Sequence, residues 1–308
     1  MIQTIRERKN LQIFGLMAPG GFWLLVFFLV PLLLVLGISF LSRDARGNPA
    51  LPISLQAYAD IFRDVKFNPS ISFTDGLELK LIDGLYLDLF WKSIWWSFIS
   101  TIATLIIAFP VALFIARLPK QWRNFAVFLV MIPFWTNFLV RTYALLFMLR
   151  SNGPINTLLM GLFNLNDPPI DLLFTPTAVM LGLVYGNLPF MILPLYTSLE
   201  KFDWTMIEAA NDLGANIIRS FQRVMLPLVA PGLLAGSILT FVPAVGSYIT
   251  VELMGGGKSN MIGRTIAAQF NDVSNWPFGS ALSLLLMIVV TVAAVLYFRT
   301  GSGERTAI

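Results

Sequence analysis

EKFDWTMIEAANDLGANIIRSFQRVMLP, residues 200–227, is a polar stretch set between two long apolar blocks. Trp204–Leu213 reads as a helix that Asp203 can cap. Gly214 interrupts it, and Asn216–Val224 reads as a second helix running into Leu226 and Pro227. Ala209 and Ala210 give the first helix a low-profile surface, and Gly214 can take the positive φ that ends a helix. A small exposed helix–turn–helix is the shape a surface needs to seat in another protein's groove. Taken alone, it describes a tidy connecting loop equally well.

The flanking blocks, Thr177–Leu199 and Leu228–Val251, are two of six; the others are Phe14–Phe40, Ser93–Ala116, Phe125–Leu149 and Ser280–Phe298. Each is about long enough to cross ~30 Å of hydrocarbon as a helix. Backbone groups must pair internally in lipid, so helices are the expected form, and the ten-residue alternation of barrel strands is not seen. Of 308 residues, 56% are hydrophobic and 12% charged, about half the charge that covers a soluble domain. The expected fold is an all-α integral membrane protein, a single transmembrane domain over residues 1–308 with six helices.

Orientation follows from the short connections. Arg117, Lys120 and Arg123 lie between blocks two and three without an acid, whereas the connection after Arg150 carries Asp167 and Asp171. Arg6, Arg8 and Lys9 precede the first block, and Arg299 and Arg305 follow the last. Both termini, the 117–123 loop and the 200–227 loop are therefore expected in the cytoplasm. The first block is too long for a signal-peptide core and reads as an uncleaved span. Residues 41–92 then form a long external loop. Within it Ser54–Phe62 reads as a short capped helix, and Ile71–Leu81 alternates around an Asp75-Gly76 turn as a β-hairpin.

Several chemistries are excluded. With no Cys and no His, thiolate or imidazole metal sites, Cys/His dyads, Ser-His-Asp triads and disulfides are all out of reach; no metal site is expected. The basic residues are scattered, which argues against nucleic acid. Gly255-Gly-Gly-Lys258-Ser259 ends like a phosphate-binding loop, but Glu252 stands where its first Gly belongs and a membrane span precedes it. It reads as a flexible turn between spans five and six. No apolar block contains an Asp, so intramembrane aspartyl chemistry has no residues, and an enzyme is not expected.

Glu208-Ala209-Ala210, three residues, Gly214, nine residues, then Val224-x-Leu226-Pro227 resembles the EAA loop of bacterial ABC-importer permeases, with Val for Ile as the one departure. The resemblance extends through Pro133–Tyr143, Phe174–Ala178, Leu183–Tyr185, Leu188–Phe190, Leu253–Gly256 and Trp276–Gly279 to the spermidine/putrescine permease subfamily. It covers most of the chain from about residue 90; residues 66–84 look like an insertion. The resemblance implies the type I ABC-importer permease class in the bacterial inner membrane. Glu208, Ala209, Ala210, Gly214, Leu226 and Pro227 would then couple the chain to an ATPase.

It further implies a second permease subunit, paralogous in preference to identical, two ATPase subunits carrying ATP and magnesium, and a periplasmic substrate-binding protein. This chain itself would hold no cofactor. Uptake would proceed by alternating access, with spermidine or putrescine as the implied substrate and a related amine or amino acid as the alternative. Two rivals stay open: an ATP-independent channel or carrier, and a membrane scaffold with a vestigial loop.

Polar groups inside spans are costly and so point to a pathway. Arg141 stands beside Trp135, Asn137 and Tyr143 in the outer half of span three. It either snorkels or pairs with a carbonyl, or it holds a pathway or gate position. Asn187, near Tyr185 and with Pro189, is expected to interrupt span four. Tyr248 and Glu252 close the outer end of span five, where a carboxylate and an aromatic face suit a cationic amine; a solvated acid beside an interfacial aromatic is the plainer reading. Gly182, Gly186, Gly232 and Gly236 mark close helix packing.

Overall fold

The structure, a computed structural model, describes residues 18–44, 46–63, 66–72, 78–163 and 171–302. Residues 18–63 and 266–285 pack as one unit. In it the first apolar block forms α1 (Ala18–Ser39), whose apolar stretch holds no buried residue in the isolated chain. A helix that is apolar all round has no face for water and belongs in lipid or against protein. The antiparallel strands β1 (Leu41–Arg43) and β2 (Pro49–Ile53) follow, then α2 (Gln56–Ile61). The Tyr58 hydroxyl of α2 donates to Ser39 Oγ at 2.8 Å, tying the end of α1 to this short helix. Gly47, at φ +92°, lies against the Ser274 carbonyl, where any Cβ would overlap.

Residues 66–265 and 286–302 form the second unit. Strands β3 (Lys66–Ser72) and β4 (Glu78–Asp83) pair antiparallel; the expected Asp75-Gly76 turn lies outside the described residues. The β3–β4 pair lies where a hairpin is expected, and the β1–β2 pair is the addition to the expected helices. The helices are α3 (Leu85–Arg117), α4 (Lys120–Trp135), α5 (Phe138–Leu149), α6 (Pro154–Phe163), α7 (Pro176–Glu200) and α8 (Thr205–Asp212). They continue as α9 (Ile217–Val245), α10 (Ile249–Gly255), α11 (Ile262–Asn271) and α12 (Trp276–Ser302).

The core of this unit is built on one face of α3. Ser93, Ser97, Ser100, Thr101, Thr104, Ala108, Ala112 and Ala116 recur at three- and four-residue spacing and are buried. The Thr101 and Thr104 hydroxyls donate back to the Ser97 and Ser100 carbonyls, so polar groups vanish into the helix and leave a smooth surface. Small residues of this kind let α7 and α9 approach closely, and in lipid such packing replaces the hydrophobic drive. Met191, Leu195, Leu199 and Val229 fill the Ala-lined end, while Val179, Leu183, Met254 and Met261 surround Trp96 at the other.

Several boundaries differ from expectation for local reasons. α3 begins at Leu85, so the loop expected over 41–92 ends sooner. The single helix expected over Phe125–Leu149 is two, α4 and α5, bent by 88°. Thr136 and Asn137 are extended at the break; Thr136 Oγ1 donates to the Pro133 carbonyl at 2.6 Å, and Asn137 Oδ1 caps α5 by accepting from Leu139 N at 2.8 Å. Among the described residues, five helices are long and apolar enough to span, or six if that pair is one span.

Asn187 and Pro189 do not interrupt span four, since α7 runs unbroken with Pro189 and Pro194 inside it. Nor is Asn216–Val224 a separate helix. It opens α9 through a π-turn at Phe221–Met225, a widened turn directly ahead of Pro227, whose ring a tighter turn would meet. Span five ends at Val245 rather than Val251, so Glu252 sits on the short α10 and Tyr248 just ahead of it.

Candidate coupling loop and corner cavity

The 200–227 loop has two chemically distinct faces. Phe202, Trp204, Ile207, Phe221, Val224 and Met225 pack onto the Ala-lined core cluster. The Arg117 guanidinium lies 4.9 Å from the Trp204 ring, fixing the start of α8 against the end of α3. Asp203 accepts from Thr205 N at 3.1 Å and from Thr205 Oγ1 at 2.8 Å, so it supplies the expected cap.

The far end of α8 closes as a Schellman motif. Gly214 takes φ +84°, its N–H donates to the Asn211 carbonyl at 2.9 Å, and Ala215 N–H donates to the Ala210 carbonyl at 3.0 Å. Asn216 Oδ1 then caps α9 through Arg219 N at 2.8 Å.

The outer face carries Glu208 and Ala209, with Ala210 half-buried. It also carries what residue-by-residue reading missed: Leu213 is 89% exposed and Ile217 83%, with Met206 and Ile218 exposed beside them. These bare apolar side chains stand on a loop otherwise rich in polar residues. Leu226 and Pro227 belong to the stem of α9, apart from this row.

The expected pathway residues separate into three places. Arg141 and Asn187 share a cavity of about 360 Å³ at the α4–α5 corner, walled by Phe134, Phe138, Leu183 and Phe190, with Ser247 and Thr250 also lining it. Arg141, 8% exposed, donates to the Pro133 carbonyl at 3.4 Å, and its guanidinium lies 4.0 Å from the Phe134 ring and 5.9 Å from that of Tyr185. Asn187 Nδ2 donates to the Leu183 carbonyl at 2.7 Å.

Asn137 is spent as a cap, while Trp135 and Tyr143 are exposed and form no part of the cavity wall. Tyr248 precedes α10 and Glu252 lies on it, forming an ion pair with Arg264 of α11. That partner could not be foreseen, because it stands twelve residues away across the glycine turn. Gly256 and Gly257 of that turn take positive φ.

A family model described as the inner membrane component of binding-protein-dependent transport systems matches residues 108–301. The chain belongs to that family. As such a component it is a multi-pass inner-membrane transport protein and not an enzyme. The spermidine/putrescine transport system permease protein PotB of Escherichia coli K12 is 39% identical over 279 residues, covering 91% of this chain and 94% of that one. Its Haemophilus influenzae counterpart is 41% identical, covering 91% and 90%. A subunit in the crystal structure of a bacterial alginate ABC transporter, with an alginate-bound periplasmic protein, shares the fold. The TM-score is 0.72 over 97% of this chain and 96% of that one, at 14% identity.

Proposed function

We propose that this chain is one permease subunit of an ATP-binding-cassette importer for spermidine and putrescine, forming half of the translocation pathway. A periplasmic binding protein delivers the polyamine, and a second permease subunit, paralogous rather than identical, supplies the other half. Two separate ATPase subunits bind ATP and magnesium and drive alternating access. Both termini and the 200–227 loop face the cytoplasm, and the region between α1 and α3 faces the periplasm.

The observation that carries the coupling role is the two-faced loop. Its inner aromatic face is fastened to the core, while Leu213, Ile217 and Ile218 are left bare beside Glu208 and Ala209. A rigid lever with an apolar contact surface is what transmits motion from a soluble partner into α7 and α9. Support for the polyamine comes from relatives 39% and 41% identical over 91% of the chain.

The test is uptake of radiolabelled putrescine and spermidine into proteoliposomes holding the complete importer. We expect uptake that needs ATP and the binding protein and that stops with Leu213→Asp. Uptake by the purified chain alone would instead make it a channel or carrier. ATP-dependent uptake of a different amine or an amino acid, with polyamines ignored, would correct the substrate and leave the coupling role standing.

A further inference from the structure

Arg141 carries a full charge into an apolar corner without an anion to meet it. A guanidinium has five N–H donors in a fixed fork. Here one donor makes a long bond to the Pro133 carbonyl, and one face rests on the Phe134 ring. No carboxylate among the described residues forms an ion pair with it. The nearby acid of α10, Glu252, is taken by Arg264. A long carbonyl bond and the rings of Phe134, Phe138 and Tyr185 supply no opposite charge, and a largely buried cation without one is unfavourable. The empty space beside it, about 360 Å³, is large enough for a side chain to enter.

We propose that the Arg141 cavity receives a carboxylate side chain from the second permease subunit, which ties the two subunits together at the α4–α5 corner. The inference rests on the reading that two permease subunits pair. Three features favour a protein carboxylate. The guanidinium fork matches a carboxylate in two parallel bonds. The cavity walls set Phe134, Phe138, Leu183 and Phe190 where the stem of an Asp or Glu can pack, with Thr136, Asn187, Ser247 and Thr250 between them. Beyond the cavity, Trp135, Val140 and Tyr143 are exposed on the same corner, an aromatic and aliphatic surface that a neighbouring helix can cover.

The test is a charge-reversal selection in cells expressing the complete importer. Arg141→Glu is expected to lower uptake at least tenfold at unchanged abundance of the chain, while Arg141→Lys keeps most of it. Revertants of Arg141→Glu should be Asp or Glu changed to Lys or Arg in the second permease subunit, a rescue that a merely structural role for Arg141 would not produce. If Arg141→Glu does not accumulate, the selection starts from Arg141→Gln, and changes of the partner's carboxylate to its amide are expected.

Revertants confined to this chain, or wild-type uptake by Arg141→Met, overturn the proposal. So does a phospholipid that mass spectrometry finds on purified wild-type complex and not on Arg141→Met, since the anion is then a lipid phosphate. Wild-type permease subunits that never purify together refute the pairing itself, a failure visible before any Arg141 variant is made.

Discussion

Ser220 Oγ donates to Asn211 Oδ1 at 3.0 Å across the turn at Gly214, so the two arms of the 200–227 loop are held at one angle. Ser220 is buried and Asn211 exposed. Removing the acceptor strands a buried hydroxyl, which costs about 1–3 kcal/mol, whereas removing the hydroxyl leaves an amide that water can satisfy. Asn211→Leu is therefore expected to weaken retention of the ATPase on the tagged chain several-fold, and Ser220→Ala to do so only slightly. Equal retention by both variants would show that the arms need no such tie.

Gly214 separates backbone strain from crowding. Its φ is +84° and a Cβ there would meet nothing within 4 Å, so only the backbone resists a side chain. An L-residue in that region costs roughly 1–2 kcal/mol, and Asn tolerates it better than most. Gly214→Asn should keep the ATPase bound, and Gly214→Val should release most of it while the membrane core melts as in the wild type. Co-purification read beside a melting curve checks both halves.

The loop was the most legible part of this chain because its signals are local. Asp203 and Gly214 each act on backbone within three residues, so the cap and the turn followed from order alone, and Asn216 adds a second local cap. Hydropathy likewise located the spans, because a helix in lipid must be apolar along its length. What failed was long-range or marginal. The corner at Thr136 and Asn137 interrupts an apolar run that hydropathy averages over, and Gly246 ends α9 inside another. Arg264 was invisible as the partner of Glu252, since only the glycine turn folds them together. The bare row at Leu213 and Ile217 showed only once the inner face of the loop was seen filled.

The Glu252–Arg264 pair is partly open to solvent, with side chains 43% and 26% exposed. Such pairs contribute about 0–1 kcal/mol and weaken with salt. Neither Glu252→Gln nor Arg264→Gln should then shift the melting point of the importer by more than about 2–4 °C. Uptake should divide them. If the carboxylate attracts the amine, Glu252→Gln lowers spermidine uptake several-fold and Arg264→Gln does not. Matched losses in the two variants would assign the pair to holding α10 against α11.

At Gly232, α9 lies close against α7. A Cβ there would sit 2.6 Å from the Pro194 carbonyl oxygen and would also meet Ser198 Oγ. The serine can rotate away, but the carbonyl is backbone beside a proline, so Gly232→Ala must push the helices apart. Overpacking of this kind costs about 1–3 kcal/mol. Gly37 of α1 provides the contrast, since a Cβ there meets nothing within 4 Å. Gly37→Ala should be neutral or stabilising by up to about 1 kcal/mol through helix propensity. In detergent, Gly232→Ala is expected to melt several degrees below the wild type and Gly37→Ala at or above it. Coincident melting of Gly232→Ala and wild type would mean that α7 and α9 have slack at this point. The close contact would then not be what holds the two central helices together.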